Sequence, residues 1–455
     1  MMSDSEASLH PAPVRRPPMN RRVPALFISA PASHHGKTTV TAALARYHTL
    51  RGLRVRVFKT GPDFLDPMLL ALAAGGGHSA YQLDLWMAGE EACRKMVWDA
   101  AQDADLILIE GVMGLFDGQP SSADLAVLLG VPILAVIDAT GMAQTFGAVA
   151  YGLAHFRKDV PFAGVLANAV ASARHAEMLQ EGLRPDLNIP YFGALLRGKD
   201  FALPERHLGL VQAAEVVDLY ARLDRAAEGI GNTKLADLPP AVTFERSQVD
   251  DLLPTLTTPL CGVRIGIAQD AAFSFLYPAN LDCLREMGAT LHFFSPLSDH
   301  SLPDVDSLYF PGGYPELHLQ SLQDNPSMKA ALREHHANDK PIFAECGGML
   351  YLLESLTDKA GKRANMVGLL RGHAIMQGRL QGLGYQSAAM PGGVLRAHTF
   401  HHSVIETEMI PIARGERLHN TSAGEKIFQQ GHLVASYLHC YFPSNPVAAA
   451  QLFLP

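Results

Sequence analysis

The sequence is poor in cysteine, and its few cysteines lie far apart. It contains five cysteines and two tryptophans in 455 residues, and no two cysteines have the CxxC spacing of a metal or redox motif. A disulfide framework and a zinc ribbon are therefore excluded, and a reducing, cytoplasmic compartment is expected. The sequence also lacks any run of about 20 apolar residues, the length that crosses a membrane, so no membrane association is expected.

Charge of one sign is not in large excess either. The 37 basic and 45 acidic residues give a formal net charge of -8, which argues against non-specific binding to nucleic acid. Residues 1–22 are rich in proline, arginine and serine but have no apolar segment of the kind found in secretory signals. We therefore expect these residues to form a disordered lead-in.

What the sequence does contain is a repeated alternation of short apolar runs with helical stretches. The first half has strand-like runs at 25–29, 54–59, 105–110, 133–138, 162–168 and 191–195. Beyond a proline-rich stretch, further strand-like runs follow at 263–269, 290–295, 307–310, 341–344 and 433–439. Continuous Val, Ile and Leu runs are typical of strands buried on both faces, so the pattern predicts parallel sheets covered by helices. We predict an α/β protein with domains at 23–236 and 262–455, joined by a linker at 237–261.

A phosphate-binding loop is predicted at Ser33-His34-His35-Gly36-Lys37-Thr38-Thr39, because this segment follows a strand and opens a helix. Its backbone amides would cradle phosphates, and its side chains would supply a cation and a magnesium-binding hydroxyl. The predicted nucleotide-binding residues are Ser33, Gly36, Lys37, Thr38 and Thr39. The loop departs from the usual pattern, since Pro31 replaces the first glycine and two histidines precede Gly36. A chance Gly-Lys-Thr-Thr at a helix start is the alternative.

Carboxylates follow two of the predicted strands, where an open α/β sheet places its ligands. Asp63 and Asp66 lie in Gly-Pro-Asp-Phe-Leu-Asp-Pro, and Glu110 ends the run Leu-Ile-Leu-Ile-Glu. We expect Mg²⁺ to be held by Thr38, Asp63 and Glu110. The alternative is that the two aspartates only cap a turn beside proline.

A nucleophile is predicted at Cys346, where an apolar run stops and two glycines follow. Such a sequence is typical of a sharp strand-to-helix turn, and a helix N-terminus favours thiolate over thiol. His439 follows the last strand-like run and is the candidate base, while Gly312 and Gly313 form a turn whose amides are candidate oxyanion donors. The alternative is a structural buried cysteine and a packed or surface histidine.

Three histidines, at 398, 401 and 402, invite a metal interpretation. No cysteine or carboxylate with matching spacing accompanies them, so zinc is a weak hypothesis. A polar strand lining an interface or the substrate pocket is favoured.

Taken in order, these motifs resemble the cobyrinic acid a,c-diamide synthase family. The resemblance rests on the phosphate loop, Gly-Pro-Asp-Phe-Leu-Asp-Pro, Glu-Gly-Val-Met-Gly-Leu-Phe-Asp-Gly, Phe-Pro-Gly-Gly-Tyr-Pro-Glu, Glu-Cys-Gly-Gly-Met and Ser-Tyr-Leu-His, and it extends over nearly the whole chain. The segment 203–210 is similar to the substrate-domain signature that separates this family from the cobyric acid synthases.

The resemblance implies an N-terminal P-loop ligase domain like dethiobiotin synthetase, fused to a C-terminal class I glutamine amidotransferase domain. It implies that ATP and Mg²⁺ are used, with glutamine and a corrin acid as substrates. Cys346 would be the glutamine nucleophile and His439 its base. Residues implied to contact the acceptor are Asp63, Phe64, Leu65, Asp66, Arg206 and His207. A homodimer is one of the assembly states that the sequence leaves open.

The implied reaction is amidation of the a and c acetate carboxylates of cobyrinic or hydrogenobyrinic acid in cobalamin biosynthesis. Two features depart from the family: Tyr441 stands where related amidotransferases commonly have a glutamate, and 398–403 reads His-Thr-Phe-His-His-Ser instead of His-Glu-Phe-His-Tyr-Ser. One alternative is amidation of a related tetrapyrrole, nickel-sirohydrochlorin. Another is a ParA/MinD-like regulatory ATPase, although the extra lysine of that class is missing near Pro31. A third is a binding module with a decayed amidotransferase domain.

Overall fold

The computed structural model describes residues 20–198, 205–206, 209–210, 218–246, 258–419 and 422–455. Its N-terminal part consists of β1 (Asn20–Ser29), α1 (Lys37–Thr49), β2 (Val55–Thr60), α2 (Leu65–Ala73), β3 (Tyr81–Leu83), α3 (Glu90–Ala100), β4 (Leu106–Glu110), α4 (Ser122–Leu129), β5 (Ile133–Asp138), α5 (Thr145–His155), β6 (Phe162–Val170), α6 (Ala173–Gly182), β7 (Tyr191–Leu196), β8 (Glu205–Arg206), β9 (Gly209–Leu210), α7 (Leu219–Ile230) and β10 (Ala241–Glu245).

The N-terminal sheet has the strand order β3-β2-β4-β1-β5-β6-β7, and its strands are parallel along this whole path. The central strands are buried on both faces, which explains their continuous apolar sequences. Parallel strands place their carboxyl ends at one edge. The loops after β1, β2 and β4, which carry the predicted ligase residues, therefore meet there.

The C-terminal part consists of β11 (Arg264–Ala268), α8 (Pro278–Glu286), β12 (Thr290–Phe294), β13 (Ser307–Phe310), α9 (Leu319–Gln323), α10 (Pro326–Ala337), β14 (Ile342–Glu345), α11 (Gly347–Leu352), β15 (Ser355–Thr357), β16 (Arg363–Asn365), β17 (His373–Met376), β18 (Gly382–Met390), β19 (Gly393–His401), β20 (Ser403–Glu406), β21 (Ala413–Arg414), β22 (Glu416–Arg417), β23 (Lys426–Gln430), β24 (Leu433–Ser436), β25 (His439–Tyr441) and α12 (Pro446–Gln451).

The main C-terminal sheet has the order β12-β11-β13-β14-β24-β23-β21. It is parallel from β12 to β24 and antiparallel beyond. Two small sheets, β16-β15-β17-β20 and β22-β18-β19-β25, are added to it. The predicted fold class, two α/β units with parallel sheets, is confirmed.

Two predicted segment boundaries differ from the structure. Residues 20–22 of the predicted lead-in belong to β1, and residues 241–245 of the predicted linker form β10. These two stretches pair with each other as antiparallel strands, from Asn20 opposite Glu245 to Pro24 opposite Ala241. Backbone pairing, which leaves little trace in a charged or proline-containing sequence, explains why both were predicted to be irregular.

An apolar cluster lies between the two units. Met87 of the N-terminal unit is fully buried against Tyr277 and Tyr441 of the C-terminal unit, and Phe64 and Tyr385 pack around them. The Tyr385 hydroxyl donates a hydrogen bond to Asp84 Oδ2 at 2.6 Å, and Arg396 donates one to the Trp86 carbonyl. The contacts directly join the two units.

No helix in the part of the chain covered by the structure is long and apolar enough to cross a membrane.

Candidate active sites

The phosphate loop forms the turn between β1 and α1. Gly36 has a φ of 86°, and a Cβ at this position would lie 2.2 Å from Asn168 Nδ2, so only glycine fits. Asn168 in turn donates a hydrogen bond to the His35 carbonyl at 3.0 Å, and His35 Nδ1 accepts one from the Asp138 amide at 2.8 Å. The unusual histidine is therefore part of the scaffold that fixes the loop to β5 and β6.

Lys37 lies at the start of α1 and is nearly buried. Its ammonium donates hydrogen bonds to the carbonyls of Met113, at 2.6 Å, and Ala32, at 3.0 Å. Burial, followed by the nearby charge of Lys59, lowers the pKa of Lys37 to about 8. The cation is held by two carbonyls rather than by a carboxylate, so it has no formal counter-charge in direct contact and is suited to an anionic ligand.

Lys59, at the end of β2, is the centre of a buried charge cluster that the sequence analysis missed. Its ammonium lies 2.6 Å from both Asp66 Oδ2 and Glu110 Oε1, and 4.0 Å from Asp63 Oδ2. Burial alone would lower the pKa of Lys59, but the charges of Glu110 and Asp66 raise it above its ordinary value. The sequence feature that could have identified Lys59 is its position, one residue before the end of a buried strand.

The predicted carboxylates do converge on this cluster. The Thr38 hydroxyl lies 2.6 Å from Glu110 Oε1 and 3.2 Å from Asp66 Oδ2. Asp63 Oδ1 accepts hydrogen bonds from the amides of Leu65 and Asp66, as an aspartate at the start of a helix does. Burial, followed by the charge of Asp66, raises the pKa of Asp63 to about 7. Asp63 therefore caps the turn, as the alternative interpretation has it, and also lies beside the Lys59 cluster.

The donor atoms suit a magnesium ion that takes its remaining ligands from phosphate and water. The hydroxyl of Thr38 adjoins Glu110, whose Oε2 is buried and lacks a hydrogen-bond partner in the described part of the chain. Within the described residues, no group of three His, Cys, Asp or Glu side chains is arranged to hold a metal by itself. Lys59 already balances the negative charges of Asp66 and Glu110. A magnesium ion at this cluster would therefore also be bound by the nucleotide.

Cys346 lies on a sharp turn between β14 and α11. Its φ of 42° and ψ of -110° are unusual for a residue with a side chain and cost on the order of 1–3 kcal/mol. Both glycines that follow are required by close packing. A Cβ on Gly348 would lie 2.4 Å from the Phe310 carbonyl oxygen, and one on Gly347 would lie 2.9 Å from the Gly313 nitrogen.

Burial raises the pKa of the Cys346 thiol above its ordinary value. The expectation that the helix N-terminus favours a thiolate is therefore wrong for this state of the protein, because desolvation outweighs a helix of only six residues. Burial and the charge of Glu316 raise this pKa more than the hydrogen bond from the Gly347 amide lowers it.

His439 lies in β25 on the other side of the Gly312–Gly313 turn. A Cβ on Gly312 would lie 2.3 Å from His439 Cε1, so the glycine makes room for the imidazole. Burial lowers the pKa of His439 to about 3, which keeps the ring neutral. No hydrogen bond joins the Cys346 thiol to the His439 imidazole within the described residues, and His439 Nδ1 has no partner; catalytic hydrogen bonds often form only when substrate is bound.

Tyr441 occupies the position at which related amidotransferases commonly have a glutamate. Alternate residues of a strand face the same side, so Tyr441 and His439 both point toward the cluster between the two units, where Tyr441 packs against Tyr277. A carboxylate at position 441 would be desolvated there.

Glu345 is a second functional candidate that the sequence analysis missed. This buried side chain accepts hydrogen bonds from the Cys440 amide and the Tyr309 hydroxyl, both at 2.7 Å. It directly precedes Cys346, and Cys440 directly follows His439, so one carboxyl group fixes the strand of the base to the turn of the nucleophile. The sequence feature that could have identified Glu345 is a glutamate at the end of an otherwise apolar strand.

The remaining predicted residues have separate positions. His398 faces His439 across β19 and β25, while His401 stacks on Tyr437 and lies 3.2 Å from Glu425. The favoured polar-strand interpretation agrees with these positions.

Ser33 is exposed and Thr39 half-buried at the phosphate loop. His207 lies outside the described residues, and of Arg206 only the backbone, in β8, is described.

Two family models match the chain. Residues 26–211 match the CobQ/CobB/MinD/ParA nucleotide binding domain, and residues 264–447 match the CobB/CobQ-like glutamine amidotransferase domain. The first match shows nucleotide binding, and the second shows the amidotransferase unit.

Curated relatives match over almost the full length. A hydrogenobyrinate a,c-diamide synthase of Stutzerimonas stutzeri is 59% identical over 96% of this chain and 100% of its own. One of Pseudomonas aeruginosa is 58% identical over 95% of this chain and 98% of its own. A cobyrinate a,c-diamide synthase of Herminiimonas arsenicoxydans is 48% identical over 94% and 96%. With both catalytic units present and relatives this similar along their whole length, the chain belongs to the cobyrinate a,c-diamide synthase family, as the order of its motifs indicated.

Proposed function

We propose that the protein uses ATP and glutamine to amidate the a and c acetate carboxylates of hydrogenobyrinic acid in cobalamin biosynthesis. The observation that carries this is the meeting of two catalytic arrangements in one chain: a phosphate loop beside a buried cluster of acids, and a strained cysteine turn beside a neutral histidine. The hydrogenobyrinate acceptor is preferred over cobyrinate because the relatives named for it are 59% and 58% identical, against 48% for the cobyrinate enzyme of Herminiimonas.

The ligase site must make a carboxylate reactive, because hydroxide is a poor leaving group. In our proposal an acceptor carboxylate oxygen attacks the γ-phosphorus of ATP, giving an acyl phosphate and ADP. Lys37 neutralises charge on the phosphates, and the loop amides of Ser33 to Thr39 hold them. Thr38 and Glu110, with Asp63 nearby, would hold Mg²⁺, which supplies further charge neutralisation when bound.

The proposed role of Lys59 is to hold the acids rather than to contact phosphate. Its two contacts at 2.6 Å offset the mutual repulsion of Asp66 and Glu110. Burial alone would raise the pKa of Asp66, but the charge and hydrogen bonds of its neighbours, chiefly Lys59, lower it, whereas burial raises the pKa of Glu110.

Asp63 and Asp66, with Leu65 between them, would then face the acceptor. The ring of Phe64, the other predicted acceptor residue of this loop, packs instead on Phe275 and Tyr277. Arg206 and His207 remain predicted acceptor residues.

The glutaminase site releases ammonia from glutamine. In our proposal neutral His439 takes the thiol proton as Cys346 sulfur attacks the amide carbon, since the raised thiol pKa disfavours a preformed thiolate. Amides of the Gly312–Gly313 turn would stabilise the oxyanion. His439 returns the thiol proton to the departing nitrogen as the adduct collapses, so that ammonia leaves and a thioester remains. Water, deprotonated by His439, then hydrolyses the thioester to glutamate and restores the thiol. Ammonia then attacks the acyl phosphate, giving the amide and phosphate.

Replacing Cys346 with alanine tests whether this residue is needed only to release ammonia from glutamine. Glutamine-dependent synthesis should vanish, while synthesis supported by added ammonium chloride should persist, as measured by mass spectrometry of the corrin product. Lys37→Met should abolish synthesis from both nitrogen sources. Loss of ammonia-dependent synthesis in a folded Cys346→Ala variant would refute the assignment.

The acceptor is tested by offering hydrogenobyrinic acid, cobyrinic acid and nickel-sirohydrochlorin separately with ATP and glutamine. We expect two amides on hydrogenobyrinic acid, formed with the highest kcat/KM. A higher kcat/KM for either of the other two would overturn the preference.

A further inference from the structure

Phe64 connects the two candidate sites through a single side chain. It lies between Asp63 and the start of α2, in the loop whose carboxylates contact Lys59. Its ring, however, packs on the C-terminal unit. It stacks on Phe275 with 5.1 Å between ring centroids and 4° between planes, and it lies 4.5 Å from the Tyr277 ring.

The same ring lies directly against the candidate base. The centroids of Phe64 and His439 are 5.0 Å apart, and Phe275 approaches the imidazole from 6.2 Å. Gly312 lies against Cε1, and Nδ1 has no hydrogen-bond partner among the described residues. In this part of the chain, packing rather than a polar contact confines the imidazole. An aromatic ring at this distance excludes water and restricts the orientation of its neighbour.

We propose that Phe64 is the positioning residue for His439 and couples glutamine hydrolysis to occupancy of the ligase site. This rests on the proposed function, because it assumes that the acceptor carboxylate binds beside Asp63 and Asp66. Binding there fixes the loop, and the Phe64 ring, which lies against the imidazole, then holds the base in place. The loop of Phe64 thus contacts groups of both sites. A physical element that influences both sites is the requirement for coupling between them.

The arrangement accounts for the absence of a carboxylate beside His439. A hydrogen-bonded glutamate would hold the imidazole in one orientation regardless of the ligase site. An aromatic contact supplied by the other unit holds it only when the loop of that unit is in place. The residue at the usual glutamate position, Tyr441, instead belongs to the same interface cluster.

The test compares Phe64→Leu, which removes the ring, with Phe64→Tyr, which keeps it. Trp86→Leu is the matched control, because Trp86 packs on Tyr385 in the same interface and does not contact His439. Three rates are measured for each protein: glutamate formed, amide formed from glutamine, and amide formed from ammonium chloride.

For Phe64→Leu we expect glutamine-dependent amide formation to fall about tenfold to a hundredfold through kcat, with the KM for glutamine little changed, since misplacing a catalytic group by about 1 Å can cost about a hundredfold. The ratio of glutamate to amide should rise at least about threefold. Because Phe64 lies in the loop of the predicted acceptor site, ammonia-dependent synthesis by the same variant is the reference, and it should fall less than glutamine-dependent synthesis does. Phe64→Tyr and Trp86→Leu should keep the wild-type ratio.

An unchanged ratio in Phe64→Leu would overturn the proposal, and so would an equal rise in Trp86→Leu, which would indicate general loosening of the interface. Failure of the proposed function itself has a different signature: the wild type would then make no amide from ammonia.

Discussion

Lys59 shows how much of a buried ion cluster depends on one cation. Its side chain is almost completely buried between Asp66 and Glu110. Removing one partner of a buried ion pair leaves charge without compensation and costs about 3–5 kcal/mol. We therefore predict that Lys59→Met strongly lowers the unfolding midpoint and abolishes ligase activity.

The control for this prediction is Lys95. It pairs with Asp99 at the same distance of 2.6 Å, but both side chains are about half exposed. Exposed pairs contribute little, so Lys95→Met should leave the midpoint, measured by thermal unfolding at pH 7, nearly unchanged. Similar midpoints for the two variants would contradict the role given to Lys59.

Tyr441 gives a second prediction at the scale of the residue. Tyr441→Glu restores the glutamate common in related amidotransferases, yet the side chain at 441 is buried against Tyr277 and Met87. A carboxylate there would lack solvation. We expect a lower unfolding midpoint and no gain in glutaminase kcat, with Tyr441→Phe close to the wild type. A Tyr441→Glu variant of raised kcat would show that the carboxylate reaches His439 after all.

The local structure around a candidate site residue was predictable where a motif carries its own context, as at Lys37 or Cys346. The contacts of a residue were not predictable where its partners come from distant parts of the chain. A lysine near a strand end is usually solvated, and only the convergence of the loops after β2 and β4 turns Lys59 into the centre of a cluster. Glu345 is similar, since its partners come from β13 and β25.

At the scale of the element, one carboxyl group joins three strands. Glu345 ends β14 and contacts Tyr309 of β13 and Cys440 of β25. Burial raises its pKa to about 8, and hydrogen bonds from the Cys440 amide and Tyr309 only partly oppose this. In the unfolded chain the carboxyl ionises near its ordinary value of 4.5.

The sign of the pH effect follows from these two values. Between about pH 5 and about pH 8 the folded protein holds one more proton than the unfolded chain at this site, so rising pH removes stability by up to about 1.4 kcal/mol per pH unit. The contribution is complete below the lower pKa and is lost as the pH passes through the upper one. Glu345→Gln should therefore lose this part of the pH dependence.

Unfolding midpoints of the wild type and Glu345→Gln, measured across this pH range, check the prediction. The wild type should become less stable relative to the variant as the pH rises. Glu177→Gln serves as a control, because Glu177 pairs with Arg174 at the exposed surface. Parallel pH curves for the wild type and Glu345→Gln would refute the assignment.

Elements differed in how well the sequence predicted them. Apart from β3, the parallel strands of both sheets were found within a residue or two at most ends, because continuous apolar runs identify strands buried on both faces. Strands β3, β10 and β23 and most of the strands from β15 to β22 were missed. Several have only two to four residues, too few for an alternating pattern, and their pairing depends on neighbours supplied by the rest of the fold.

At the scale of the whole molecule, the interface between the units depends on buried polar contacts. Asp84 is buried and accepts hydrogen bonds from the amides of Trp86 and Met87 and from the Tyr385 hydroxyl. Tyr385→Phe removes the donor that crosses the interface. We expect a loss of about 1–3 kcal/mol, the penalty for a buried polar group that loses a partner.

Calorimetry checks this prediction. Tyr385→Phe should lower the unfolding temperature and separate the transitions of the two units, whereas Tyr151→Phe, at the exposed surface of α5, should do neither. The ratio of glutamate to amide should stay at the wild-type value in both variants. Unfolding of Tyr385→Phe indistinguishable from the wild type would mean that this bond does not hold the units together.

The contact between Phe64 and His439 could not be predicted from the sequence. The two motifs were each recognisable, but nothing in either one specifies which face of one unit meets the other. Only the packing of Phe275 and Tyr277 around the ring reveals the link.

The pairing of β10 with the first half of β1 has a consequence for dissecting the protein. An N-terminal fragment that ends at the predicted boundary, residue 236, would expose the backbone of 20–24 as an unprotected edge. Free strand edges recruit other chains, so this fragment should aggregate, whereas one extended to residue 246 should stay monodisperse in size-exclusion chromatography.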